Sequence, residues 1–216
     1  MRPLETMSDF FTARVDGYDE HMLRDVEGFK EGYPLMASLV PAHTRRLLDL
    51  GCGTGLELAE YFALNPGAKV TGIDLASGML RALEEKFPGK DITLICGSYF
   101  DVPFGEGFDG AVSVESLHHF TKEEKIPLYR KLRNALKPGG FFILTDYFSL
   151  SDEEERWHRA ELLRLKAEQG ITDGEFYHYD TPLTVAHETE ALLAAGFSAV
   201  EVLDSWGPTF TLKAKK

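Results

Sequence analysis

Only two of the 216 residues are cysteine, Cys52 and Cys96, and their positions make no metal-ligand pattern. No disulfide framework or cysteine-held metal is implied, and two free thiols of a reducing cytoplasm are expected. Long apolar runs are missing as well. None reaches the ~18 residues that a membrane span needs. Met1 to Gly17 is polar and acidic, without the apolar stretch of a signal peptide. Basic charge is scarce: 23 Lys and Arg stand against 35 Asp and Glu, for a net charge of −12. Proteins that grip polyphosphate present basic surfaces, so this balance argues against a nucleic-acid partner. The one basic cluster, Lys122, Lys125, Arg130, Lys131, Arg133 and Lys137, is interrupted by Glu123 and Glu124. It reads as a solvated helix face. Repeats and low-complexity stretches are absent too.

What is present is a hydrophobic content of 44% in a chain of one-domain length, enough for a sizeable core. The chain is organised around Leu47-Leu48-Asp49-Leu50-Gly51-Cys52-Gly53-Thr54-Gly55. An apolar run reads as a buried strand, glycines turn it, and Leu56 to Phe62 has helical character. Strand, tight turn and helix present a nucleotide-like ligand at the carboxyl edge of an open α/β sheet. A dinucleotide loop places a third small residue where Leu56 stands, and that leucine would crowd a pyrophosphate site. A nicotinamide-dependent oxidoreductase is further disfavoured because no Tyr-x-x-x-Lys is evident.

Alternating strands and helices follow. Lys69 to Asp74 is a second strand ending in an acid, and Asp91 to Cys96 a third. Phe108 to Val114 is the fourth, a helix spans Thr121 to Leu136, and Lys137-Pro138-Gly139-Gly140 stops it before a fifth strand, Phe141 to Thr145. Ser77 is the expected cap of the helix after the second strand. Ser151 with Glu154 makes a capping-box pattern for a helix running to Gln169. Thr184 caps a last helix, and Phe197–Leu203 and Thr209–Leu212 close as a hairpin. Cys52 and Cys96 lie two strands apart, about 9–10 Å, beyond disulfide reach.

The pattern Asp49-x-Gly51-x-Gly53-x-Gly55 resembles the first motif of the class I S-adenosylmethionine (SAM) dependent methyltransferases. The tract LRNALKPGGFFILTD, residues 132–146, resembles that family's helix-turn-strand. The resemblance covers residues 47–147, about half of the chain. It implies a Rossmann-like seven-stranded sheet in the order 3-2-1-4-5-7-6, with strand 7 antiparallel and helices on both faces. One domain is expected over residues 1–216. Its parts are N-terminal lid helices (1–40), a cofactor core (41–150), a helical insertion that serves as a second lid (151–182) and a final helix with hairpin (183–216).

The implied activity is methyl transfer from SAM to a small-molecule acceptor, leaving S-adenosylhomocysteine (SAH). A non-catalytic SAM-binding protein is the alternative from another class. A monomer or homodimer is expected. Gly51, Cys52, Gly53 and Gly55 would form the cofactor loop, introduced by Asp49. Asp74 would accept both ribose hydroxyls, and Leu75 and Met79 would flank the adenosine. Gly97, Ser98 and Tyr99 would meet the adenine, with Ser98 standing where the family carries Asp. Arg14 and Tyr18, from the N-terminal segment, would contact the SAM carboxylate or the substrate. Glu115 reads as a cofactor-side contact. His118, His119 and Tyr147 lie across the crevice, and either histidine could move a proton. A metal on His118, His119 and Asp146 is not expected, because adjacent residues aim poorly at one ion.

Overall fold

The computed structural model describes residues 3–26 and 28–216; Met1, Arg2 and Glu27 lie outside the described residues. Seven strands form one sheet: β1 (Arg46–Leu50), β2 (Lys69–Asp74), β3 (Asp91–Cys96), β4 (Phe108–Val114), β5 (Leu136–Tyr147), β6 (Ala199–Trp206) and β7 (Thr209–Lys215). Their order is β3-β2-β1-β4-β5-β7-β6. Strands β1 to β5 run parallel, and β7 is antiparallel to β5 and β6. The central strands are buried nearly throughout, as continuous apolar runs require when helices cover both faces. Edge strand β6 is mostly half-buried or exposed. The order reverses between β1 and β4, which opens the crevice at the carboxyl edge.

Eight helices surround the sheet among the described residues: α1 (Met7–Thr12), α2 (Tyr18–Arg24), α3 (Phe29–Leu39), α4 (Leu56–Leu64), α5 (Ser77–Lys86), α6 (Lys122–Ala135), α7 (Asp152–Glu168) and α8 (Val185–Ala194). One apolar cluster joins Leu48, Leu50 and Ile73 to Leu132, Phe142 and Leu212. A second joins Leu47, Val70 and Val112 to Met36, Leu58 and Leu83. Adjacent residues of β1 thus feed opposite faces, as the two-residue period dictates.

Several expectations are corrected. Ser77 is the first residue of α5, not its cap; the cap position is Ala76 and carries no side-chain bond. The Asp74 carboxylate takes the Ala76 N–H instead, at 2.8 Å. The Lys137–Gly140 tract does not separate helix from strand. β5 already begins at Leu136, paired with Phe108, and the register then shifts so that Gly110 meets Phe141. Helix α3 spans Phe29–Leu39 with Pro34 inside it, whereas the sequence pattern reads as helix only from Tyr33 to Val40. The basic cluster is only in part a solvated face, with Arg130 and Lys137 exposed. Lys125 is buried on Glu188, and Lys131 Nζ donates to the Tyr99 and Phe100 carbonyls. Helix α7 is capped by Ser151, which accepts from Glu154 N–H, but none of its residues is buried. Trp157 is 59% exposed and Leu163 62% exposed. Both cysteines are free.

The N-terminal segment and the segment after β5 pair with each other. Thr6 bridges Tyr177, Met7 N–H donates to the Phe176 carbonyl and His178 N–H to the Glu5 carbonyl. The Phe10 and His178 rings stack at 3.5 Å.

Candidate functional site

The chain turns sharply where β1 ends. Gly51 has φ 73°, and a Cβ there would lie 2.0 Å from Ser116 Oγ, so only glycine fits. Gly53 has φ 47° with nothing within 4 Å of where its Cβ would be. Its backbone is therefore open to a ligand. The Gly53 N–H donates to Asp74 Oδ2 at 2.9 Å, which ties the loop to the end of β2. Burial raises the pKa of Asp74, and the N–H groups of Ala76, Gly53 and Leu75 oppose that. Two N–H bonds leave lone pairs on both of its oxygens.

A cleft opens beside this loop. Gly51, Gly53, Asp74, Leu75, Met79, Gly97, Ser98, Tyr99 and Glu115, all candidates from the sequence, line it together. Tyr99 is fixed by its hydroxyl, which donates to the Ser116 carbonyl at 3.2 Å. Ser98 Oγ accepts from Phe100 N–H at 3.2 Å. Met7, Phe11, Tyr18 and Phe176 roof the cleft from the two flanking segments. With them in place it encloses about 60 Å³, far below the ~300–1,000 Å³ of ligand pockets. A second cavity of about 600 Å³ adjoins it, reached by Arg14, Asp16, His118, His178 and Asp180. Phe11, Tyr18, Glu115 and His119 line both spaces.

Four expected cofactor residues lie elsewhere. Asp49 lines neither space; it is fully buried beside the Glu57 carboxyl. Burial, then the Glu57 charge, pushes its pKa well up. Cys52 and Gly55 line only a small hollow under the loop, and the Cys52 sulfur packs against Gly72. Arg14 faces the second cavity, not the cofactor cleft. It is bonded to both oxygens of Glu5, at 2.8 and 3.0 Å, and lies 3.7 Å over the Phe10 ring.

Across the crevice the two histidines differ in state. His118 Nδ1 lies 2.5 Å from Asp146 Oδ1, and Asp146 is held by Leu117 N–H and Tyr147 N–H. Burial alone would lower the pKa of His118. The Asp146 charge and hydrogen bond, with Asp180 behind them, reverse this and raise it well above the usual value, so the ring is an imidazolium. Burial, then the His118 charge, drives His119 well down and keeps it neutral. Its Nδ1 lies 3.2 Å from the Tyr179 carbonyl, which can only accept, so Nδ1 carries the proton and Nε2 is the free base. Tyr147 stands edge-on to His118 at 6.3 Å and lines neither cavity.

The adjacent rings do converge, against expectation. His118 Nε2 and His119 Nδ1 each lie 3.4 Å from Asp180 Oδ1, and the three ligand atoms fall within 4.8 Å of one another. The turn brings the ring centroids to 4.0 Å. This spacing would admit a cation at His118 Nε2 and Asp180, yet the third ligand atom, His119 Nδ1, carries the proton shared with the Tyr179 carbonyl.

Asp180 and His178 are the cavity groups that sequence reasoning missed. Burial opposes ionisation of Asp180, but contact with His118 and the charge of the three histidines hold its pKa below the usual range. Thr181 N–H donating to the His118 carbonyl at 3.0 Å anchors this segment. The only local signal was the aromatic run Phe176-Tyr177-His178-Tyr179.

Comparison with known proteins agrees with this geometry. Residues 47–140 match the family described as a methyltransferase domain. An O-methyltransferase of Penicillium expansum is 28% identical over 172 residues, covering 77% of this chain and 56% of that protein. A carboxy-S-adenosyl-L-methionine synthase of Campylobacter fetus is 22% identical over 228 residues, covering 100% of this chain and 97% of that protein. A solved structure from Nostoc punctiforme, assigned as an O-methyltransferase, matches with a TM-score of 0.73 at 22% identity. It covers 98% of this chain and 62% of that one. This chain thus spans under two thirds of the Penicillium and Nostoc proteins, and the structural likeness shows the fold.

Proposed function

We propose that the chain, whose residues 47–140 match a methyltransferase domain, is a class I S-adenosylmethionine-dependent methyltransferase that methylates a small-molecule acceptor. One observation carries the reading: the cleft of the glycine loop and Asp74 shares the wall of Phe11, Tyr18, Glu115 and His119 with a second cavity. A donor in one space and an acceptor in the other would meet across that wall, as in-line displacement requires.

When bound, SAM supplies an electrophilic methyl group on a sulfonium. The residues fit such a ligand: an open backbone at Gly53, lone pairs on Asp74, apolar faces from Leu75, Met79 and Tyr99, and carboxylates for the positive charge. The chain's own part is then to bind, orient and exclude water. Asp74 accepts the ribose hydroxyls. His119 takes an acceptor proton at Nε2. His118 stays protonated on Asp146 and fixes the turn that carries His119, with Tyr147 packed at its edge. Calorimetry should give a micromolar Kd for SAM, about −8 kcal/mol, and no heat with NAD. Tight NAD binding without a response to SAM would overturn the reading.

The flanking segments act as a lid in this proposal. A cleft of about 60 Å³ cannot admit SAM until α1 and Phe176 move. Hydrogen exchange is expected to slow at residues 10–18 and 176–179 when SAH is added. Equal protection with and without SAH would make these aromatics ordinary core.

A further inference from the structure

We propose that the acceptor is a protonated amine, gripped by Glu115 and Asp180 where the two cavities meet. This rests on the methyltransferase reading and names its substrate class.

The first ground is Glu115. Among the described residues it is the one non-glycine with positive φ, 48°. Such a backbone is strained for a residue that carries a side chain and persists only where the surroundings enforce it. Here the Glu115 N–H is held by the Thr145 carbonyl at 2.9 Å. The strain places the side chain on the wall common to both cavities. Its Oε1 is shut off from solvent with no hydrogen-bond partner, and Oε2 lies 3.9 Å from His118 Nδ1, too far to bond. A buried acceptor without a donor is costly. An N–H donor arriving with a ligand would satisfy it.

The second ground is the charge of the acceptor cavity. Its guanidinium, Arg14, is committed to Glu5 and Phe10. Its imidazolium, His118, is committed to Asp146. His21 Nδ1 meets Asp25. A carboxylate or phosphate acceptor would find no uncommitted cation among the described residues that line this cavity. An ammonium would find Glu115, the 47%-exposed side chain of Asp180, whose histidine contacts use Oδ1, and the rings of Phe11 and Tyr18. Burial pushes the Glu115 pKa up to about 8, and an ammonium and a sulfonium on either side would draw it back to the carboxylate. Glu115 stands on that shared wall.

The chemistry balances. The ammonium gives one proton to His119 Nε2, and the freed nitrogen lone pair forms the new N–C bond. The C–S bond breaks with its electrons on sulfur. A methylated ammonium, neutral SAH and one proton result.

The test uses the full chain saturated with SAH. Melting temperature and calorimetry would compare benzylamine, phenethylamine and tyramine with their alcohol and carboxylate isosteres. The amines should bind and raise the melting temperature, and the isosteres should not. Asp180→Asn should weaken amine binding about tenfold, the order expected of one charge-assisted hydrogen bond, with SAH affinity unchanged. Glu115→Gln should also weaken amine binding about tenfold. Equal responses to amine, alcohol and carboxylate, or no response to any amine, would overturn the assignment. Failure of SAH itself to bind would instead overturn the methyltransferase reading beneath it.

Discussion

Replacing Asp74 with alanine should weaken SAM binding by about 1.5–3 kcal/mol, roughly ten- to 150-fold, through loss of charge-assisted hydrogen bonds. The structure gives this residue two tasks. Its Oδ2 fixes the glycine loop through Gly53 N–H at 2.9 Å, and its Oδ1 takes Ala76 N–H at 2.8 Å at the start of α5. The variant therefore loses a proposed ribose partner and also the bond that holds Gly53 in place. Asp74→Asn separates the two tasks. It keeps one acceptor oxygen and loses the charge, so its affinity should fall between the two. Calorimetry on the folded variants measures both. Unchanged SAM affinity in the alanine variant would reduce Asp74 to a local cap.

The largest effect on stability should come from Glu188→Ala. The Lys125 ammonium lies 2.5 Å from Glu188, and both side chains are buried, at 1% and 0% exposure. The Tyr129 hydroxyl donates to the other Glu188 oxygen. Removing the acid strands a buried cation and a buried hydroxyl between α6 and α8. Breaking one side of such a pair costs about 3–5 kcal/mol. A paired substitution, Lys125→Met with Glu188→Leu, removes both charges and should cost far less, because no unpaired ion remains. Denaturant unfolding of the three proteins checks this. A loss under ~1 kcal/mol for Glu188→Ala would show that water reaches Lys125.

That pair also shows where reading the chain fails. Lys125 sits in a run of basic residues, and nothing near it marks it as buried. Its partner is 63 residues downstream. The short helices α1 and α2, of six and seven residues, were equally hard to read. Helices of that length are marginal on their own, and tertiary contact stabilises them. Here α1 is held by Met7 N–H on the Phe176 carbonyl and by Phe10 against His178. The cap of α5 was misassigned for a related reason. Ser77 is a good capping residue, but Asp74 reaches the same end of the helix from the strand.

The family resemblance implied the seven-stranded order and its switch point; the sequence by itself determined the alternating strands and helices, the glycine loop and the acid ending β2. Each rests on a local rule: a buried strand is a continuous apolar run, a tight turn needs glycine, and a strand end projects its side chain at the sheet edge. Only the tertiary structure decided the acceptor side. It withdrew Asp49 into the core and Arg14 onto Glu5, brought Asp180 to His118 and His119, and turned Glu115 onto the wall between the cavities. Those groups come together from strand ends, turns and loops far apart in the chain. Contacts of that kind follow no period, so the folded backbone alone sets which charges are paired and which remain for a ligand.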